Sequence, residues 1–265
     1  MEYKIISDST ELTFCEVKNP SQKNYYRHCH AGFEFLLFLE GDAEYVIENR
    51  RYSLTPNNLI IIKPSEYHYL SIKSRKPYSR YVINFQAETV PEILLQKLMD
   101  CPSVLKLEED DELLSLFRKP YRYEMEFGET SRPLINSVIT QIICLAAQNM
   151  RQTDRIATNS RLTGEVIKYV SENLSKPFTL DDIAEKLYVS KSYMCHTFIK
   201  EMKITVMQYV RNKKILLAEN MISAGKSVSA AAMLCGFEDY STFYRLYKKI
   251  LGISPSRYRK AHNAQ

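Results

Sequence analysis

The chain has 265 residues, 36 Lys+Arg, 31 Asp+Glu and 5 His, a formal net charge of +5, 45% hydrophobic residues and only 7 Gly. It is long enough for two domains with substantial cores and too apolar and glycine-poor for long disorder. No apolar run approaches the ~20 residues of a membrane helix and no basic-then-apolar leader opens the sequence. The six cysteines (Cys15, Cys29, Cys101, Cys144, Cys195, Cys235) are scattered without a CxxC pair, which suits free thiols in a reducing compartment rather than a disulfide frame or zinc finger, and a soluble, cytoplasmic protein is expected.

The first ninety residues read as β-structure. Residues 12–17, 33–39, 44–47, 51–54, 59–62 and 78–85 are short runs rich in Val, Ile, Tyr and Phe, separated by turn signals at Gly41-Asp42, Glu48-Asn49 and Pro56-Asn57-Asn58. Many short strands with tight turns predict a closed barrel or a double-sheet jelly roll. His28, His30 and Glu34 share parity, so on a continuous strand they point to one face, and His68 can converge from a neighbouring strand. Such a set suits a divalent ion of the Fe(II), Mn(II) or Zn(II) kind. Structural or effector-contacting histidines are the default against it, so no cofactor is expected. Arg27 and Tyr45 are further candidates for contacting a polar effector, with packing as the equal alternative.

Three helices follow, at residues 91–100, 111–117 and 132–151. The last carries Leu134, Ile135, Val138, Ile139, Ile142, Ile143 and Ala146 on one wide apolar stripe. That stripe packs on the barrel or pairs two chains. Residues 152–160 are polar and unpatterned, as in a linker, and a helix over residues 161–174 then buries Leu162, Val166, Tyr169 and Val170.

From there the sequence repeats itself. Ile183-Ala184, Leu187, Met194, Phe198 and Lys200 recur as Ala231-Ala232, Cys235, Phe243, Tyr247 and Lys249, offset by 48 residues before the turn and 49 after it. An internal repeat at fixed period is one supersecondary unit used twice, and each copy reads as a helix-turn-helix. Thr179 suits the N-cap of the first supporting helix, with Asp181 and Asp182 at the positive end of its dipole. Ser190 caps a second helix to about Met202. The second copy has a supporting helix over residues 228–235, a turn at Gly236 and a helix over residues 240–250. Between the copies, residues 205–224 keep apolar spacing throughout. One continuous helix of roughly 20 residues spans about 30 Å, close to the ~34 Å between successive major grooves on one face of B-DNA. Charge agrees: residues 161–265 hold 17 Lys+Arg against 9 Asp+Glu, whereas the rest hold 19 against 22. A basic half carrying paired helix-turn-helix units points to nucleic acid.

The patterns Leu180-x-x-Ile183-Ala184, Ser190-x-x-Tyr193-Met194-x-x-x-Phe198, Tyr209, Lys214-Ile215-x-x-Ala218, Gly236-Phe237-x-x-x-x-x-Phe243, Tyr247-Lys248-Lys249 and Gly252-x-Ser254-Pro255-x-x-Tyr258-Arg259 resemble the C-terminal DNA-binding domain of the AraC/XylS regulators. Lys203 stands where that family usually has glycine, His196 where arginine is common, and Ala230-Ala231 replace an acidic-plus-branched pair. The stretch His28-x-His30-x-x-x-Glu34, with Gly41, Pro64 and His68, resembles the cupin motifs, although the glycine before His68 is absent and Ile72 replaces the usual asparagine. The expected fold is therefore α+β: a cupin-like sensing barrel (1–88), a helical connector and pairing region (89–160), and an all-α double helix-turn-helix domain (161–265).

The resemblance implies a sequence-specific transcription regulator, not an enzyme. Ser192, Cys195 and His196 in the first recognition helix, and Thr242, Tyr244 and Arg245 in the second, are expected to read bases. Lys191, Lys200, Lys248 and Lys249 are expected on phosphates. Arg27, His28, His30, Glu34, Tyr45 and His68 form the expected effector site. The expected partners are double-stranded DNA, a small-molecule effector such as a carbohydrate, a second copy of the chain and, for an activator, RNA polymerase. No membrane partner is expected. The alternative is a metal-binding cupin enzyme fused to a DNA-binding domain.

Overall fold

The computed structural model describes residues 2–7, 10–22, 25–148, 156–158 and 160–262. The chain divides into two compact units, residues 1–157 and 158–265. In the first, the strands are β1 (Glu2–Ser7), β2 (Thr10–Val17), β3 (Phe33–Glu40), β4 (Ala43–Ile47), β5 (Arg50–Ser53), β6 (Asn58–Ile62), β7 (His68–Ile72) and β8 (Tyr78–Phe85). Helix α1 (Glu92–Asp100), strand β9 (Val104–Lys106), helices α2 (Glu112–Phe127) and α3 (Arg132–Gln148), and strand β10 (Ile156–Thr158) follow.

The strands form two sheets, ordered β1-β2-β8-β3-β6-β9 and β10-β5-β4-β7. Of the two expected all-β forms this is the double sheet; no closed barrel forms among the described residues. The reason lies at the end of β3. Its register with β8 shifts between Phe38 and Glu40, and Gly41 then takes a φ of 137°, so the chain leaves one sheet and enters the other at β4. A side chain at Gly41 would meet the Tyr78 ring at 3.1 Å, so the crossing needs glycine both for its backbone and for its contact.

Alternation along β3 then divides two cores. Phe33, Phe35 and Leu37 belong to one with Leu59, Ile61, Ile83 and Phe85, and there α1, α2 and α3 contribute Leu98, Leu113, Phe117, Ile135 and Ile142. Leu36 and Phe38 belong to the other, with Tyr45, Tyr52, Ile60, Ile62, Leu70, Tyr78 and Val82 from both sheets. A strand covered on both faces reads as a continuous apolar run, and fully burying each such side chain stabilises the fold by about 1.5–3 kcal/mol. Glu34 shares the parity of Leu36 and Phe38. That places a carboxylate among the residues between the sheets.

Several elements differ from the sequence reading. α2 runs through Pro120 to Phe127 instead of ending at residue 117, because Asp111 caps it and Leu113, Leu116, Phe117 and Pro120 are all buried. Leu134, assigned to the apolar stripe of α3, is exposed while Ile135, Val138, Ile139, Ile142, Ile143 and Ala146 are buried. The end of that helix at residues 149–151 and most of the expected linker lie outside the described residues; within the linker, residues 156–158 form β10. β1, β9 and β10 were not anticipated: the last two have only three residues, and β1 buries little besides Ile5; β7 is the neighbouring strand expected to carry His68.

The second unit is helical: α4 (Arg161–Asn173), α5 (Leu180–Lys186), α6 (Lys191–Met202), α7 (Val206–Ser223), α8 (Val228–Leu234), α9 (Tyr240–Leu251) and α10 (Pro255–His262). Thr179 caps α5 in a reciprocal box with Asp182, and Thr205 caps α7 in another with Gln208. The repeat is explicit in the turns. Tyr188 N–H donates to the Glu185 carbonyl and Val189 N–H to that of Ala184; Gly236 and Phe237 repeat both bonds to Met233 and Ala232. The 18 residues of α7 span roughly 27 Å at the helical rise. Its first half packs Tyr209 edge-on to Phe198, and its second half shares a core with the later copy through Ile215, Ala218 and Ile222. α10 was missed in the sequence, although Pro255 at its first position is a recognised start signal.

Candidate functional site

The two copies present α6 and α9. On α6, Met194, Phe198 and Met202 are buried, which leaves Ser192, His196 and Lys200 exposed and Cys195 half-buried. On α9, Phe243 and Tyr247 are buried, leaving Tyr244, Arg245, Lys248 and Lys249 exposed and Thr242 half-buried. Every residue expected to touch DNA therefore has solvent access, but not all are idle. Lys191 Nζ lies 2.8 and 3.0 Å from the Asp181 carboxylate oxygens, and that hydrogen bond raises its pKa. The Thr242 hydroxyl donates to Asp239 at 2.5 Å and accepts from Arg245 Nη2 at 3.3 Å, while Arg245 Nε donates to the Ser241 carbonyl at 3.3 Å. The Arg245 guanidinium thus lies along its own helix. Tyr188, 95% exposed in the turn before α6, and Tyr193, 60% exposed on α6 itself, add large aromatic surface to the first copy.

The second group of candidates converges in the first unit. Ligand atoms of His28, His30, Glu34 and His68 all lie within 4.8 Å of one another. Shared strand parity is not the cause, because β3 begins only at Phe33 and both histidines precede it. The loop is held instead by backbone bonds to the β6–β7 turn: His28 and His68 exchange both N–H···O bonds at 3.1 and 2.9 Å, and Ser65 N–H donates to the His30 carbonyl at 2.7 Å.

Hydrogen bonds then orient each ring. His28 Nδ1 lies 2.9 Å from the Tyr26 carbonyl, His30 Nδ1 2.9 Å from that of Gly32, and His68 Nδ1 2.8 Å from that of Glu66. A carbonyl only accepts, so each Nδ1 carries the proton. Glu34 Oε2 is 3.4 Å from His30 Nε2 and 3.9 Å from His68 Nε2, and Glu34 Oε1 accepts from the Tyr45 hydroxyl at 3.0 Å. Burial lowers the pKa of His68 to about 4 even against the pull of Glu34, which leaves the ring neutral at pH 7. Burial raises the pKa of Glu34, but the His30 hydrogen bond and the positive field of the imidazoles and Arg80 outweigh it and set the value at about 2.

Tyr45 therefore joins the cluster, whereas Arg27 binds the Glu48 carbonyl at 3.3 Å and stacks over the Tyr69 ring. The residue missed was Arg80, on the inter-sheet face of β8 with Tyr78 and Val82. Its Nη1 donates to the Tyr78 hydroxyl at 2.8 Å, and the guanidinium lies over the Tyr25 ring as well. An arginine within an apolar alternating run marked it in the sequence.

Comparison with known proteins places both units. Residues 13–143 match the AraC-like ligand binding domain, and residues 183–261 match a helix-turn-helix domain. The HTH-type transcriptional activator RhaR of Klebsiella pneumoniae subsp. pneumoniae is 23% identical over 92% of this chain and 90% of its own length. The HTH-type transcriptional regulator YfiF of Bacillus subtilis is 25% identical over 90% of this chain and 81% of its own. The crystal structure of ToxT from Vibrio cholerae O395 aligns over 95% of this chain and 97% of its own, with 13% identity and a TM-score of 0.41. No helix among the described residues is long and apolar enough to cross a membrane. A ligand-binding domain followed by a duplicated helix-turn-helix, shared along nearly the whole length with regulators of transcription, makes this chain a DNA-binding transcription regulator of the AraC family.

Proposed function

We propose that α6 and α9 enter successive major grooves on one face of a duplex, held in register by α7. The observation that carries this reading is that one unbroken helix, about 27 Å long, joins two copies of the same capped helix-turn-helix. Ser192, Cys195 and His196, and Thr242, Tyr244 and Arg245, read base edges. Lys200, Lys248 and Lys249 grip phosphates. Lys191 exchanges Asp181 for phosphate, and Arg245 leaves its helix carbonyl for guanine, the base its fork fits best.

In the first unit, a small polar effector such as a carbohydrate contacts Glu34, Tyr45, Arg80 and the histidines His28, His30 and His68, with Arg27 at the edge. It shifts the population of DNA-competent chains. The regulator acts as a homodimer in the cytoplasm and, where it activates, touches RNA polymerase. Its role is recognition, not catalysis.

Footprinting the full chain on its operator tests the DNA reading. Two protected patches about 10 base pairs apart are expected. Arg245→Ala should lose about 1–3 kcal/mol of discrimination at one base position, whereas Lys248→Ala should weaken binding to all sequences and flatten the salt dependence by about one charge. Equal binding of wild type to every duplex would reject the base-reading assignment.

A further inference from the structure

Three of the five histidines in the chain stand with Glu34 in one cluster, and DNA recognition uses none of them. We propose that His28, His30, Glu34 and His68 bind one divalent transition-metal ion, which pins the loop before β3 onto β7.

The donor set comes first. Imidazole nitrogens with one carboxylate suit Zn(II), Fe(II), Co(II) or Ni(II), whereas Mg(II) and Ca(II) take oxygen ligands. Bonds of about 2.0–2.2 Å hold adjacent donors roughly 3 Å apart, and Glu34 Oε2 already lies 3.4 and 3.9 Å from two imidazole nitrogens.

Ring orientation is the second observation. All three histidines commit Nδ1–H to a backbone carbonyl, which fixes the tautomer that turns the Nε2 lone pair toward a metal, as the outer shells of metal sites do. Tyr45 supplies the equivalent hydrogen bond to the carboxylate.

Third, His68 is completely buried and its Nε2 has no hydrogen-bond partner. A buried acceptor without a donor is destabilising, and a cation among the four groups removes that cost. A proton shared by Glu34 with one imidazole cannot serve the other as well. His28, exposed at the rim, leaves the entry path that such a site needs.

The test uses the full chain, stripped with chelator and titrated with Co(II), followed by visible absorption and by competition with Zn(II). One equivalent per chain is expected, with hydrogen exchange slowing at residues 26–32. Glu34→Gln and His30→Ala should abolish stoichiometric binding, and Tyr45→Phe should weaken it about 10–100-fold. Because truncating buried His68 can unfold the strand, His28→Ala at the rim is the second variant: circular dichroism unchanged, affinity down at least about tenfold. Absence of a saturable Co(II) spectrum in the wild type, or binding that is the same in His28→Ala and Glu34→Gln as in wild type, overturns the proposal. Either result leaves the DNA reading untouched.

Discussion

The two helix-turn-helix copies trace the same backbone with different residues. At the turn, Tyr188 takes a φ of 55° where the second copy has Gly236 at 71°; after the recognition helix, Lys203 takes 59° where the second has Gly252 at 73°. A side chain in the left-handed region costs on the order of 1–2 kcal/mol, so the first copy carries strain at two points that the second relieves with glycine. The first copy has other supports: the reciprocal Thr179–Asp182 cap, against a one-way Ser227 cap in the second, and the Lys191–Asp181 ion pair. What the copies keep in common is the turn bonding and the buried pair, Met194 and Phe198 in one and Phe243 and Tyr247 in the other. The backbone path and the anchors define the repeat; the residues at its corners do not.

Removing an anchor is the largest perturbation. Phe198→Ala and Phe243→Ala should each cost about 3–5 kcal/mol, since both rings are fully buried and the space cannot fully collapse. Hydrogen exchange should separate them. Phe243→Ala should expose α8, α9 and the second half of α7, while Phe198→Ala should act on α6 and the first half. An identical exchange pattern in the two variants would mean that the copies do not open independently.

The corners come next. Gly252 has open space around it, so Gly252→Ala tests backbone conformation alone, whereas a side chain at Gly236 would also meet Lys214 Nζ at 3.0 Å. Both substitutions should destabilise by about 1 kcal/mol, while Tyr188→Gly and Lys203→Gly should be neutral or stabilising by up to about 1 kcal/mol. Urea midpoints check this. Destabilisation by Lys203→Gly would show that the lysine side chain contributes more than its backbone strain costs.

The caps give a subtler contrast. Thr179→Ala should cost about 1 kcal/mol and Ser227→Ala somewhat less, because only the first loses a reciprocal pair of bonds. Equal losses in thermal unfolding would mean that the Asp182 half of the box adds nothing.

Thr179, Ser190 and Gly236 act locally, through hydrogen bonds and dihedral preferences within a few residues, so helix starts and turns were legible in the sequence and Tyr78–Phe85 was read to the residue. The cluster in the first unit was legible in composition but not in cause. Its residues are brought together by the His28–His68 bridge, a long-range pairing that strand parity does not encode. Arg80 carried a local mark, a charge within an apolar alternating run, but its partners Tyr78 and Tyr25 are recognisable only once the space between the two sheets is known. The open double sheet likewise depends on a register shift and a crossing at Gly41, which strand patterns alone do not reveal.

The smallest expected effect concerns acid. Asp239 is held below its usual pKa of 3.8, first by the Thr242 hydroxyl and then by the Ser241 and Thr242 amides; Asp182 is lowered by the amide and hydroxyl of Thr179. Because the folded value is depressed, the ionised cap contributes stability above the unfolded carboxylate pKa of about 3.9, and that contribution fades as pH falls through the folded value. Both side chains are exposed, so solvent screens the effect. Wild type and Asp239→Asn should differ most in melting temperature near neutral pH and converge as pH falls through the depressed folded value, where the aspartate takes up its proton and resembles the amide. Asp182→Asn should behave alike but lose less, since its carboxylate accepts two hydrogen bonds, from the Thr179 amide at 2.7 Å and the Thr179 hydroxyl at 2.8 Å, where that of Asp239 accepts three, and in each variant the asparagine oxygen accepts without the charge. Melting curves of the two variants that stay parallel to wild type through this range would place the acid sensitivity of the second unit elsewhere than in its helix caps.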